Sequence, residues 1–414
     1  MSRPAAVAVT GLGIVSSIGT GRQQFWDALL AGRSGFSRVR SFDTSDYLVH
    51  VGAEISDFYP EDYVLELNPA AIGRTSQLAI AASRLALQDG ALDLADIDGD
   101  RVGVCIGTTS GEPHYIERFD DQYVQGCTAQ VGPEFLHGYP CHVVPFHIAK
   151  ELGLGGEVMM IPTACAAGNY AIAHACDLLR AGKADFMLAG GADSFSRITY
   201  TGFARLGAIA PDVCRPFDGN RKGMIPGEGA AILLLERSDL ALSRGARIYC
   251  EVAGYGLSCD AHHMTAAHPE GEGAARAIRI ALSQSGIDPE QVDYISAHGT
   301  GTPTNDRLET IAVKKAFGTH AYKVPMSSVK SMLGHTMGAA SAIEATVCAL
   351  SITNGHIPPT MHWQGGDSDC DLDYVPNAAR KHQVKVAMNN AYAFGGNNSS
   401  LVLTACSRSG RQPQ

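Results

Sequence analysis

The chain has 414 residues, 45% hydrophobic and 18% charged, with 46 glycines. That composition supplies a large core and many tight turns and excludes disorder outside the tail. Lys and Arg total 32 against 42 Asp and Glu, a net charge of -10, which argues against nucleic acid and anionic membranes as partners. An acidic partner would need a local basic patch. The length suits two domains or one large fused unit.

No apolar run approaches the roughly 18 residues of a membrane span, and the start MSRPAAVAVTGLG lacks a cleavage pattern, so a soluble cytoplasmic protein is expected. The eleven cysteines are scattered without a C-x-x-C pair and are expected as reduced thiols, mostly in the core.

In chain order, short apolar runs alternate with amphipathic or Ala-rich stretches. AVAVTGLG opens the chain, helix material follows at 74–90, then RVGVCIGT, EVMMIPTA, ADFMLAGGAD and AAILLLE. The alternation predicts an α/β fold with buried strands. The helix-like GEGAARAIRIALSQSG precedes VDYISAHGTGT much as 74–90 precedes RVGVCIGTTSG, which predicts two related α/β halves, 1–247 and 248–406, with a frayed tail at 407–414. Gly11-Leu12-Gly13 resembles the opening of a dinucleotide fingerprint, but Ser16 stands where the third glycine belongs. A plain strand-to-loop turn is the better reading.

Three segments carry chemistry. In VMMIPTACAAGNYAIAHACDLLRAG a strand reaches Pro162-Thr163 and a small-residue helix begins near Cys165. A thiol on a first helical turn meets unpaired N–H groups and partial positive charge, which favour the thiolate. Ala164, Ala166, Ala167 and Gly168 leave room for a bulky thioester, whereas Cys176 and His174 read as ordinary core. DYISAHGTGTPTNDRLE places His298 at a strand end before Thr300 and Thr302, whose hydroxyls suit a substrate amide. VPMSSVKSMLGHTMGAASAIEA places Lys330, His335 and Glu344 on a strand-loop-helix unit. A metal bound by Cys165, His298 and His335 is not required by the spacing, and Asp260, His262, His263 and His268 form a rival metal candidate.

The blocks TACAAG, AHGTGTPTNDRLE, SSVKSMLGHTMGAASAIE and NNAYAFGGNNSSLVL, with RPFDGNRKGMIPGEGAAILLLE, resemble in order and separation the β-ketoacyl-acyl carrier protein synthase family of the thiolase superfamily. The resemblance implies a thiolase-like fold, two similar halves fused into a layered α-β-α-β-α body. It implies that Cys165 accepts an acyl chain, that His298 and His335 assist loss of carbon dioxide from malonyl thioester, and that Lys330, paired with Glu344, holds the histidines in place. It further implies an oxyanion hole from the N–H groups of Cys165 and Phe394, a gate at Phe394 and Gly395, and substrate contacts at Phe203, Thr300 and Thr302. Substrates would arrive on the phosphopantetheine of an acyl carrier protein, with no metal or resident cofactor. A dimer is implied, either of this chain alone or with a chain-length-factor-like homologue, joined by the segment before Cys165.

The chain departs from the family at Ala166-Ala167, where Thr-Ser is frequent, and at Ala393, where Gly is. Around Arg74, where relatives show a basic cluster for the carrier, it has one Arg. A thiolase using a second cysteine as base, a nucleophile-lacking chain-length partner and a Cys–His hydrolase are the alternatives. DAHHMT and TNDRLE look like ketosynthases of type II polyketide systems, so fatty acid and polyketide or polyene elongation both stay open.

Overall fold

Two sets of five runs become strands of one sheet; those at Val7–Ser16, Val102–Gly107, Phe186–Asp193, Gly229–Arg237 and Val386–Tyr392 are buried on both faces, whereas Cys250–Cys259 alternates buried and half-buried residues. The computed structural model describes residues 6–127 and 132–406; the tail expected at 407–414 lies outside the described residues. The first half supplies Val7–Ser16, Val102–Gly107, Val158–Ile161, Phe186–Asp193 and Gly229–Arg237, and the second Cys250–Cys259, Tyr294–Ser296, Met326–Ser327, Val386–Tyr392 and Asn397–Thr404. In both halves the spatial order from the outer edge inward is third, second, fourth, fifth, first. Pairing directions match as well, the second strand lying parallel to the third and fourth and the remaining pairs antiparallel. The halves join where Val7, Ala8 and Val9 pair antiparallel with Val252, Glu251 and Cys250.

Helices sandwich this sheet in three layers. Ala167–Arg180 and Ala340–Asn354 pack on each other and reach strands of both halves, so they form the central layer. Residues 340–352 are buried throughout. Arg74–Asp89 and Val143–Leu152 cover the first half outside, and Glu272–Ser285 and Pro303–Phe317 cover the second. The result is the five-layered thiolase-like arrangement.

Gly11 and Gly13 belong to neither a fingerprint nor a turn. They lie inside the strand Val7–Ser16, where a Cβ would stand 2.1 Å from Ala86 O and 1.7 Å from Ala82 O; they let the helix Arg74–Asp89 cross the strand in direct backbone contact. His174 is not core either, since it sits half-exposed and 3.2 Å from Glu157. No helix among the described residues is long and apolar enough to cross a membrane.

Candidate active site

In each half the strands that pair in parallel lead at their C-terminal ends into the loops that carry the reactive residues, where α/β folds place ligands. After Ile161 the chain turns through Pro162 and Thr163, forces Ala164 to φ 50, and sets Cys165 in a 3-10 turn that feeds the helix Ala167–Arg180. A positive φ at a residue with a Cβ is strained. Here it throws the thiol out of the strand line into the gap between halves. Gly168 is used for packing rather than acyl space, as a Cβ there would meet Ala342 N at 2.7 Å.

His298 follows the strand Tyr294–Ser296, and His335 follows the short helix Lys330–Leu333. Both loops need left-handed backbone, at Gly299 (φ 38), Gly334 (φ 74) and Met337 (φ 52). The result brings the Cys165 sulfur and one nitrogen of each ring within 4.8 Å of one another. The two imidazoles lie edge to face, 5.5 Å apart at 84°. All three side chains are buried.

Hydrogen bonds fix the ring tautomers. Met337 N–H donates to His335 Nδ1 at 3.1 Å, and the Lys330 ammonium, which can only donate, lies 3.4 Å from His298 Nδ1. With Nδ1 accepting, each neutral ring carries its proton on Nε2. Burial, then the positive Lys330, holds both far below the ordinary histidine value, His335 adding to the effect on His298. The site therefore presents two neutral N–H donors beside a thiol. That donor set does not fit a metal ion, because a ligating imidazole gives its other N–H to an acceptor, whereas here the other nitrogen receives one. The rival cluster is engaged elsewhere. Asp260 accepts from His268 N–H and Asn398 Nδ2, and His263 Nδ1 accepts from the N–H groups of Thr265 and Ala266.

The expected thiolate is not the resting state. Burial pushes Cys165 up to about 12, outweighing the nearby Lys330. Helix-start placement is a local effect, and desolvation by the whole fold exceeds it.

Lys330, 1% exposed, donates to the His298 carbonyl at 2.7 Å and to Glu344. Burial pushes Glu344 up to about 7, with Lys330 pulling the other way. Cys165 and Phe394 each stand in the first turn of a short helix, where N–H groups have no intrahelical acceptor. Phe394 is 41% exposed, its ring 5.8 Å from Phe203, and Gly395 takes φ 77 while its N–H donates to Met264 O at 2.7 Å. Thr300 and Thr302 share a hydrogen bond of 2.8 Å.

Two buried carboxylates escape a reading of the sequence. Asp193 accepts from Thr108 Oγ1 and from the N–H groups of Thr109, Ser110 and Gly338, which pins the His335 loop to the first half. Glu309 accepts the N–H groups of His298 and Gly299 at 2.8 and 2.7 Å. Their only signals are an acid within an otherwise apolar strand end and an acid on a buried helix stripe. Arg74 is also recast. Its guanidinium makes two bonds to Glu228 and one to Ile55 O, so it braces the interior and is not a free docking charge.

The model of the Beta-ketoacyl synthase N-terminal domain matches residues 5–241 and that of the C-terminal domain residues 249–364. A "3-oxoacyl-[acyl-carrier-protein] synthase 2" of Coxiella burnetii is 40% identical over 408 residues, 96% of this chain and 98% of the relative. Among solved structures, "The ishigamide ketosynthase/chain length factor" superposes with TM-score 0.94 at 42% identity, covering 98% of this chain and all of that one. A type II PKS acyl-carrier protein in complex with its ketosynthase bound to the hexaketide gives 0.90 at 34%, covering 98% and 100%. With both domain models spanning the halves that carry Cys165 and the two histidines, the chain belongs to the β-ketoacyl synthase family.

Proposed function

We propose that the chain is a β-ketoacyl-acyl carrier protein synthase that joins a Cys165-bound acyl group to a malonyl unit with loss of carbon dioxide. The observation that carries this reading is the convergence of a buried thiol with two neutral imidazoles, both presenting Nε2–H. In the first step the thiol takes the acyl group from the carrier thioester; the new Cys165 C–S bond replaces the old one, and the thiol proton ends on the departing carrier thiol. In the second, the malonyl carboxylate leaves as carbon dioxide, and the resulting enolate carbon attacks the Cys165 thioester. One proton taken up restores the thiol, and the β-ketoacyl product stays on the carrier.

The geometry supports a role for each residue in this reading. His298 and His335 donate to the malonyl thioester oxygen, where charge develops as the carboxylate departs. Lys330 and Glu344 hold His298 neutral and in place. The N–H groups of Cys165 and Phe394 form the oxyanion hole during acyl transfer. Phe394, hinged at Gly395 and resting on Phe203, gates the acyl pocket. Thr300 and Thr302 exchange their mutual hydrogen bond for the pantetheine amides. The division at residue 247 separates the nucleophile half from the histidine half, and the reading assigns no step to a metal or resident cofactor. Eleven free thiols suit a reducing cytoplasm.

The partner is an acyl carrier protein. The second subunit is another copy of this chain or a homologue of chain-length-factor type, a pairing named for the solved structure at 42% identity. Fatty acid elongation and type II polyketide or polyene elongation both use this chemistry. Incubation with acyl carrier and malonyl carrier, followed by mass spectrometry of carrier-bound products, tests the reading. A β-ketoacyl product longer by one two-carbon unit supports it and its length assigns the pathway; release of free acid alone would replace it with a hydrolase.

A further inference from the structure

Tyr392 is the last residue of the strand Val386–Tyr392, two positions before Phe394. Strand alternation sends Asn389 toward the central helices, where its Nδ2 donates to Asn169 Oδ1 and Ser341 O. Tyr392 faces the other way, against Ala274, Ala275 and Ala312 of the outer helices. Its ring meets that of His298 edge on, 5.8 Å apart at 72°. The side chain is 8% exposed, and its hydroxyl is buried with no hydrogen-bond partner among the described residues.

A phenol buried without a partner is costly, since it has lost water and gained nothing in return. A phenyl ring would fill the same space without that cost. Two carboxylates act on the hydroxyl: after burial itself, the charges of Glu309 and Asp260 hold it well above the ordinary tyrosine value. It is therefore a neutral donor throughout the working range. Glu309 fixes the backbone of His298 and Gly299. Asp260 fixes the gate turn, its N–H donating to Gly396 O at 2.8 Å while its carboxylate takes Asn398 Nδ2. The ring thus packs between His298, whose backbone Glu309 holds, and Ala312, one turn beyond Glu309 on the helix Pro303–Phe317, with its hydroxyl unpartnered.

We propose that Tyr392 is a positioning residue that couples the gate turn to His298, its hydroxyl donating to Glu309 when the turn at 393–396 moves to admit substrate. The donation completes the shell of Glu309 and firms its hold on the His298 backbone at the moment His298 is needed. This rests on the condensing-enzyme reading above and adds a residue to it.

Tyr392→Phe removes the oxygen and nothing else. The variant is expected to melt at or above the wild-type temperature, to acylate Cys165 at the wild-type rate, and to decarboxylate malonyl carrier about ten-fold more slowly at unchanged KM. In a Glu309→Gln background the same substitution should add no further loss. A wild-type decarboxylation rate in Tyr392→Phe overturns the proposal, as does an equal loss with Glu309 already replaced. If Glu309→Gln does not fold, the rate of the single variant decides alone. Failure of the condensing reading would be visible earlier, as a wild-type protein that does not decarboxylate malonyl carrier at all.

Discussion

Lys330→Met tests the electrostatic design of the site most directly. Lys330 and Glu344 are each 1% exposed and form an ion pair at the central helix Ala340–Asn354. The ammonium also holds the His298 carbonyl at 2.7 Å. Methionine fills similar volume but leaves the Glu344 carboxylate buried without its cation, a change that costs about 3–5 kcal/mol when the pair is fully desolvated. The variant can soften this by protonating Glu344, which fixes the sign of the pH dependence. Beside Lys330 that carboxyl already lies at about 7, above the usual carboxylate range, and without the ammonium it rises further. A carboxyl raised in the folded state contributes stability below its unfolded value and loses that contribution as pH climbs through the folded one. The variant should therefore be nearly as stable as wild type at about pH 5 and progressively weaker from about pH 7 to 9. Denaturant unfolding at these pH values, on wild type, Lys330→Met and Lys330→Met/Glu344→Leu, measures it. The double variant should recover most of the deficit, because an apolar pair carries no desolvated charge. A deficit independent of pH, or a double variant no better than the single one, would show that Lys330 acts by shape and not by charge.

Other outcomes follow from the same geometry. Cys165→Ala should take up no acyl mass from acyl carrier, where wild type gains one acyl group; labelling that persists would move the nucleophile to another cysteine. His298→Ala and His335→Ala should still be acylated yet lose decarboxylation by roughly 2–4 kcal/mol of barrier each, the worth of one donor to a developing oxyanion, and unchanged rates in both would remove them from the mechanism. Since burial holds both rings neutral, the decarboxylation rate should show no limb near the ordinary histidine value of about 6.5; such a limb, lost in one histidine variant, would put a charged imidazole in the reaction.

Reactive residues are legible where their signal is local. Cys165, His298 and His335 each sit on a strand-end loop with small or left-handed neighbours, and such loops leave a mark of Gly, Thr and Ala in the sequence. Lys330 and Glu344 are legible through the family blocks. What escapes depends on the packed whole. Arg74 looks like a lone surface cation until Glu228, on the far side of the chain, closes on it. The thiol looks activated until the surrounding layers strip it of water. Asp193 and Glu309 escape because an acid at a strand end or on a helix ordinarily faces solvent; only tertiary packing turns them inward to hold backbone N–H groups, Glu309 within the second half and Asp193 reaching Gly338 across the halves.

The assembly follows from the first half's outer edge. Val158–Ile161 pairs on one side only, with Val102–Gly107, and is the last strand of the sheet. Its sequence VMMI carries no charge, bulge or proline, and all four residues retain exposure, Val158 at 40%. Phe146, on the neighbouring helix Val143–Leu152, is 50% exposed. A flat apolar edge left open invites indiscriminate pairing, so the stable state is one in which another sheet covers it. An obligate interface of this kind buries on the order of 2,000 Å² or more. Coverage also bears on chemistry, since Cys165 lies only four residues beyond Ile161 and inherits the placement of that strand. Met160→Glu should therefore break the dimer and lower the acylation rate together, as read by native mass and by acyl uptake in one preparation. For the unaltered chain expressed alone, an active dimer identifies the partner as a second copy; insoluble or inactive protein rescued by a co-expressed homologue identifies it as a chain-length-factor type. A stable monomer that acylates Cys165 at full rate would refute both, and with them the claim that the edge strand needs a partner to hold the nucleophile.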